Sequence, residues 1–256
     1  MKTGILISYW NYKDFDLDAE LSKRYPEDRP AIFADSGAFS AMSIGAKIDI
    51  DKYAEWVNRW QHLFDVYANL DVIKNAELTW ANQKYLENKC GLSPLPVFHI
   101  LESWDWLDRY VYEYSYIALG VAGQQQRKQE LMRWLIRCFK IAGNRSEFHG
   151  FGLSDWLHLP ILPWRTIDST TWMAGHRYGA LLIFAKGKLF QTRAHLLPQY
   201  SQDLKNLGFT INDALSATRG NAEMSRKIAI ASLERAQSII KKHNENFERI
   251  YLAGDM

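Results

Sequence analysis

Trp164-Arg-Thr-Ile-Asp-Ser-Thr-Thr-Trp172 contains a short strand, Arg165 to Ile167, that ends on a carboxylate, Asp168. Small hydroxyl residues follow, and then Gly175-His-Arg-Tyr-Gly179. A carboxylate at the end of a buried strand is a poor core residue. Burying it unpaired costs several kcal/mol or drives its pKa upward, so it needs a partner or a chemical task. A strand-end Asp taken alone reads as a turn cap. Here the pattern repeats along the chain.

Working outward, Gly4 to Trp10 is a first apolar run and Ala31-Ile-Phe-Ala-Asp35 a second, ending on an acid. Ser36-Gly-Ala-Phe-Ser40 reads as a tight turn. Asp49 or Asp51 caps a helix whose Tyr53, Trp56, Val57, Trp60 and Phe64 recur at helical spacing. A third strand runs from Asp65 to Asp71, a fourth from Leu95 to Ile100 with His99 near its end, and a fifth from Tyr116 into Gly120 and Gly123. Gln125 to Ala142 is an amphipathic helix. Glu147 to Ser154 is the sixth strand, the opening stretch the seventh, and Ala180 to Ala185 the eighth. Two helices, from about Ile211 and from Ala222 to Lys242, close the chain. Eight strands alternating with helices over about 250 residues predict a single (β/α)8 TIM barrel over residues 1–256, with the helices of about 205–245 packing on it. That fold puts its chemistry at the carboxyl ends of the strands. Asp35, Asp71, His99, Gly120, His149 and Asp168 fall at six consecutive ends. A doubly wound open sheet is the alternative, but Ser8-Tyr-Trp-Asn11 is not the glycine-rich loop it would carry after strand one.

Composition narrows the function classes. The 256 residues are 47% hydrophobic and carry a formal net charge of +2, so there is no polyelectrolyte signature, and a nucleic-acid partner would need a local basic patch. Cys90 and Cys138 are the only cysteines and lack CxxC spacing, which argues against a disulfide framework or a cysteine-rich zinc site. The apolar run at the N-terminus is too short for a signal peptide, and no segment approaches the roughly 18 apolar residues of a membrane span. The expectation is a cytoplasmic protein without membrane association.

Ala34-Asp-Ser-Gly-Ala-Phe39, Leu70-Asp71, Tyr116-Ile-Ala-Leu-Gly-Val-Ala-Gly123, Phe148-His-Gly-Phe-Gly152 and Ile167-Asp168 together resemble the tRNA-guanine transglycosylase superfamily. The similarity is greatest to its reduced branch, the 7-deazaguanine DNA transglycosylases of phages and bacterial DNA-modification clusters. It runs over roughly residues 31 to 180. It implies a pentosyltransferase that exchanges guanine in DNA for a 7-deazaguanine such as preQ0, without a cofactor. Asp168 would be the nucleophile that forms a glycosyl–enzyme intermediate, and Asp35 the general acid/base. Phe39 and His149 would wall the base pocket. Asp71 would accept from the guanine amine and ring N–H, as an acceptor-only carboxylate can. His99 stands where the family commonly has a Gln that reads the carbonyl side, and the backbone around Gly120 and Val121 would approach the base.

Each residue also has a plain structural account: Asp35 as a cap for the Ser36 turn, Asp71 paired with Lys74, the histidines and Phe39 as packing, and the glycines as turns. Two departures matter. After residue 180 there is no cysteine, so the three-cysteine, one-histidine zinc site of the tRNA enzymes is absent and no metal is expected. The family's Asp-Ser-Gly-Gly is Asp-Ser-Gly-Ala here. The loss of the zinc site puts tRNA as substrate in doubt and fits a DNA-acting relative better. Duplex DNA requires the guanine to be flipped out and the backbone held, for which Arg165, Arg177, Lys186, Lys188 and Arg193 are the candidates. Exchange on tRNA, nucleoside hydrolysis, or a non-catalytic DNA-binding barrel in a modification complex are the alternatives. A homodimer or partner proteins remain open.

Overall fold

A computed structural model describes residues 3–121, 127–153, 155–173 and 179–254. The chain divides into two compact units, one over Gly4–Gly152 and one over Leu153–Gly254. The fold is α/β.

The first unit alternates strand and helix: β1 (Gly4–Ser8), α1 (Tyr9–Tyr12), α2 (Leu17–Arg24), β2 (Ile32–Asp35), α3 (Ala38–Ser43), α4 (Ile50–Trp60), β3 (Val66–Tyr67), α5 (Ala76–Asn88), β4 (Val97–His99), α6 (Trp104–Glu113), β5 (Tyr116–Gly120), α7 (Lys128–Ala142) and β6 (Glu147–Gly150). Neighbours in sequence are neighbours in the sheet. β1 pairs β2, β2 pairs β3, β4 pairs β5 and β5 pairs β6, all parallel. A parallel bridge between Ala68 and Leu95 joins β3 to β4. Six parallel strands in chain order, with intervening helices, give a TIM-barrel-like succession. Parallel strands covered on both faces read as continuous apolar runs, which is why every residue of β1 is buried. α4 shows how the helices are fixed. The Asp49 side chain accepts from the Asp51 and Lys52 amides, a cap worth about 1 kcal/mol. Tyr53, Trp56, Val57 and Trp60 then pack on Ile5, Ile7, Ile32 and Ala34, each apolar side chain contributing about 1.5–3 kcal/mol.

The second unit holds β7 (Thr166–Ser169), β8 (Ala180–Ala185), β9 (Lys188–Arg193), α8 (Ser201–Asn206), α9 (Ile211–Thr218), α10 (Ala222–His243) and β10 (Arg249–Ala253). It corrects the expected strand list. Ala180–Ala185 does not lie beside β7 as an eighth parallel strand. It pairs antiparallel with β9 in a separate two-stranded sheet, closed by Lys186 and Gly187, both at positive φ (49° and 74°). Two central residues of that conformation make the turn whose twist suits a two-residue hairpin. Leu181, Ile183 and Ala185 pack this hairpin onto Leu204, Ala214 and Ile228 of the three helices. Within this unit β7 pairs in parallel with β10, with Ile250 opposite Ile167 and Tyr251 opposite Asp168.

Two further expectations change. The stretch Ser36–Ser40 runs into helix α3, which starts at Ala38 after the Gly37 cap. The third strand ends at Tyr67, so Asp71 lies beyond it and does not close it. Among the described residues no helix is long and apolar enough to cross a membrane.

Candidate functional site

The segments that leave β2, β3 and β4 at their carboxyl ends bring two of the expected residues, Asp71 and His99, into one hydrogen-bonded chain with Ser36. At the end of β2 the half-buried Asp35 accepts from the Gly37 amide through Oδ2 at 3.0 Å. Gly37 is obligatory on two counts: its φ is +74°, and a Cβ there would lie 2.5 Å from the Cβ of Trp10. Between them Ser36 is fully buried. Its Oγ accepts from the Ala38 amide and donates to Asp71 Oδ1, each at 3.2 Å.

Asp71 follows β3 in a loop clamped by α5. The Asn82 amide donates to the Leu70 carbonyl at 2.8 Å, and the Val72 amide donates to the Thr79 hydroxyl at 2.9 Å, so the backbone on both sides of Asp71 is fixed. Beneath it the Tyr53 hydroxyl donates to the Ala68 carbonyl at 2.5 Å. Burial first, and then the charges of Asp35 and Asp71, push that phenol well above its ordinary pKa. Both carboxylates therefore act on one buried group.

The second oxygen of Asp71 lies 2.8 Å from His99 Nε2, and both side chains are almost wholly buried. The His99 ring lies against Gly120, where a Cβ would come within 2.5 Å of Nδ1. The glycine at the end of β5 thus makes room for the imidazole. Burial pulls the His99 pKa down, but the hydrogen bond and charge of Asp71, the charge of Glu102 and the Gly120 backbone outweigh it, so the pKa is raised. Glu102 accepts from the His99 amide at 3.0 Å, and its own pKa is raised, chiefly by burial.

The chemical content of this chain follows from the donor inventory. A protonated His99 donates to one oxygen of Asp71 and Ser36 donates to the other. Each carboxylate oxygen can accept twice, so Asp71 keeps acceptor capacity for N–H groups of a ligand. Asp71 lines a cleft of about 510 Å³ with Met42, Val72, Ile73, Leu78 and Asn82. We expect His99 to titrate above the ordinary histidine value of about 6.5, as read from its imidazole NMR signal with His99→Gln for assignment. The sign follows: a raised pKa contributes stability that is complete below the unfolded value and is lost as pH rises through the folded one. Stability should therefore fall over that interval in the wild type and not in His99→Gln.

The other expected residues are placed as follows. Phe39 stands on α3 with 48% of its surface exposed. His149 is fully buried and stacks on Phe33 at 4.3 Å between ring centroids. The Gly120 carbonyl accepts from the Ile100 amide at 3.0 Å, and Val121 is half-buried. In the second unit, Asp168 is 4% exposed in β7. Just beyond it the Ser169 and Thr171 hydroxyls bond at 2.6 Å, and the Trp172 indole donates to the Ala253 carbonyl. Arg165 precedes β7, at its amino end, where Nε bonds Glu248 at 2.8 Å, so it is not brought to the end that carries Asp168. Lys186 forms the hairpin turn with its Nζ over the Tyr200 ring, while Lys188 and Arg193 open and close β9. Arg177 lies outside the described residues, as does Gly123. Among the described residues no group of three or more His, Cys, Asp or Glu side chains is arranged to hold a metal.

The roles of Ser36 and Glu102 were not foreseen. Ser36 lies inside the Asp-Ser-Gly motif, and Glu102 is an acid three residues beyond a strand-end histidine; both signals are visible once β2 and β4 are taken as ending at Asp35 and His99. Compared with known proteins, the chain matches no family model and no curated protein.

Proposed function

We propose that the protein is a (β/α)8 transglycosylase of a single domain that exchanges guanine in DNA for a 7-deazaguanine. The observation that carries this is Asp71, a carboxylate fixed by Ser36 and His99 with acceptor capacity left over. A planar base presenting an amine and a ring N–H side by side is the ligand such a group suits.

In the reaction, the Asp168 carboxylate attacks the sugar C1′ as the bond from C1′ to guanine N9 breaks. The bond electrons leave with the base, and Asp35 gives it a proton. This yields a glycosyl ester on Asp168 and free guanine. The incoming 7-deazaguanine then loses its ring N–H proton to Asp35, and the nitrogen attacks C1′ and releases the Asp168 carboxylate. One hard displacement becomes two easier ones, and no redox or ATP step is needed. Phe39, exposed on α3, is suited to stack on the base. Lys186, Lys188 and Arg193 are the candidates for phosphate contacts.

The test is incubation with labelled guanine and, separately, duplex DNA, tRNA and free nucleoside, without ATP. Label entering DNA supports the proposal. Label entering tRNA alone moves the substrate to RNA, and free base released from nucleoside without incorporation makes the protein a hydrolase. Guanine binding with no turnover on any substrate makes it a binding barrel.

A further inference from the structure

Leu101 combines two local costs. Its φ is +75°, in the left-handed region that few residues other than glycine and asparagine occupy, and this apolar residue is 72% exposed. Glycine or asparagine would relieve the first, and any polar residue the second. The turn that carries it is held on both sides. The Ile100 amide donates to the Gly120 carbonyl at 3.0 Å, the His99 amide to the Glu102 carboxylate at 3.0 Å, and the Glu102 amide to the His99 carbonyl at 3.3 Å. Ser103 then caps α6, accepting from the Asp105 amide. The side chain is thus presented by a clamped turn two residues from His99, the partner of Asp71.

The segments after β2, β3 and β4 leave the same edge of a parallel sheet. Phe39 and Met42 on α3, Ile44 just beyond it and Leu78 on α5 are exposed as well, and Met42 and Leu78 line one cleft with Asp71. The cleft thus holds the Asp71 carboxylate together with two exposed apolar side chains, Met42 and Leu78. Such side chains suit unstacked bases, which offer apolar faces.

We infer that Leu101 is the wedge that enters the base stack of duplex DNA when the target guanine leaves it. This rests on the base-exchange proposal and specifies its substrate as a duplex. Proteins that unstack DNA commonly insert an apolar side chain at the opened step, which offsets the stacking lost by the extruded base. A single strand has no such gap to fill, so the wedge matters for one substrate form and not the other.

The test compares exchange of labelled guanine into one DNA sequence as a duplex and as a single strand. Leu101→Asn tolerates the left-handed backbone but removes the apolar tip. Leu101→Met keeps the tip. We expect the duplex-to-single-strand rate ratio to fall about tenfold or more in Leu101→Asn and to be retained in Leu101→Met, with no lowering of Tm in Leu101→Asn. An unchanged ratio in Leu101→Asn, or an equal fall in Leu101→Met, overturns the wedge while exchange itself stands. Absence of exchange into either form by the wild type overturns the base-exchange proposal and the wedge with it.

Discussion

Asp168→Asn is expected to lose base exchange by roughly 10⁴-fold or more, the scale on which single members of a covalent catalytic group register. The amide has the shape of the carboxylate but neither its charge nor its nucleophilicity, so the ester cannot form. The strand context makes this a clean substitution. Asp168 sits inside β7, its backbone carried by the parallel ladder to β10 with Tyr251 opposite. Asn preserves that backbone, and circular dichroism and the thermal midpoint should change little. A variant that exchanges at the wild-type rate would remove Asp168 from the chemistry. One that fails to fold would show only that the buried carboxylate supports β7.

Asp71→Ala has the second largest expected effect, on both stability and activity. It strips His99 of its counter-charge inside a site where the imidazole is almost wholly buried. Breaking a buried pair from one side costs about 3–5 kcal/mol when the remaining charge stays, and less when it can discharge. His99 can discharge, so we expect a loss near 3 kcal/mol at pH 6 and a smaller one at pH 8. The imidazole pKa should then fall from its raised position, since burial keeps pulling it down while only the charge of Glu102 and the Gly120 backbone still hold it up. Exchange should fall at least about a hundredfold because the N–H groups of the base lose their acceptor. Asp71→Asn separates the two effects. It fills the same space and can still bond His99, so stability largely returns, but it offers the base one acceptor oxygen in place of two. Recovered stability with recovered exchange would mean that Asp71 is structural only.

The strand-end acids were legible in the sequence because parallel strands are apolar on both faces. A polar residue that ends such a run, as Asp35 ends Ile32–Asp35 and His99 ends Val97–His99, stands out against it. The helices were legible from capping and spacing, as Asp49 and the Tyr53, Trp56, Val57 and Trp60 face illustrate. Ala180–Ala185 was misassigned for a physical reason. Five of its six residues are buried, as in a parallel strand, but here the apolar faces are covered within a hairpin and by helices. What distinguishes the two cases is the Lys186-Gly187 turn and the second strand that follows, Lys188–Arg193, whose ends are exposed and of which only Leu189 and Thr192 are buried. With that run taken as the eighth strand, Arg249–Ala253 was left unassigned at the end of the chain, although Ile250, Tyr251, Leu252 and Ala253 are all buried. The pairing of Asp71 with His99, and not with Lys74, depends on the Gly120 backbone making room for a ring, which no local pattern announces. Ser36 and Glu102 stand beside legible strand ends, but what they bond does not show in the sequence, since Ser36 acts on Asp71 beyond another strand and Glu102 on the His99 amide.

The covalent intermediate offers the most direct test of the account. A labelled guanine-containing duplex is mixed with the protein, quenched in denaturant and resolved on a denaturing gel, with peptide mass spectrometry of any retarded band. The account predicts DNA attached through its sugar to the peptide that contains Asp168, free guanine in equal amount, and loss of the band on adding excess guanine before the quench. Exchange that proceeds with no retarded band, or a band attached to any other peptide, would contradict it.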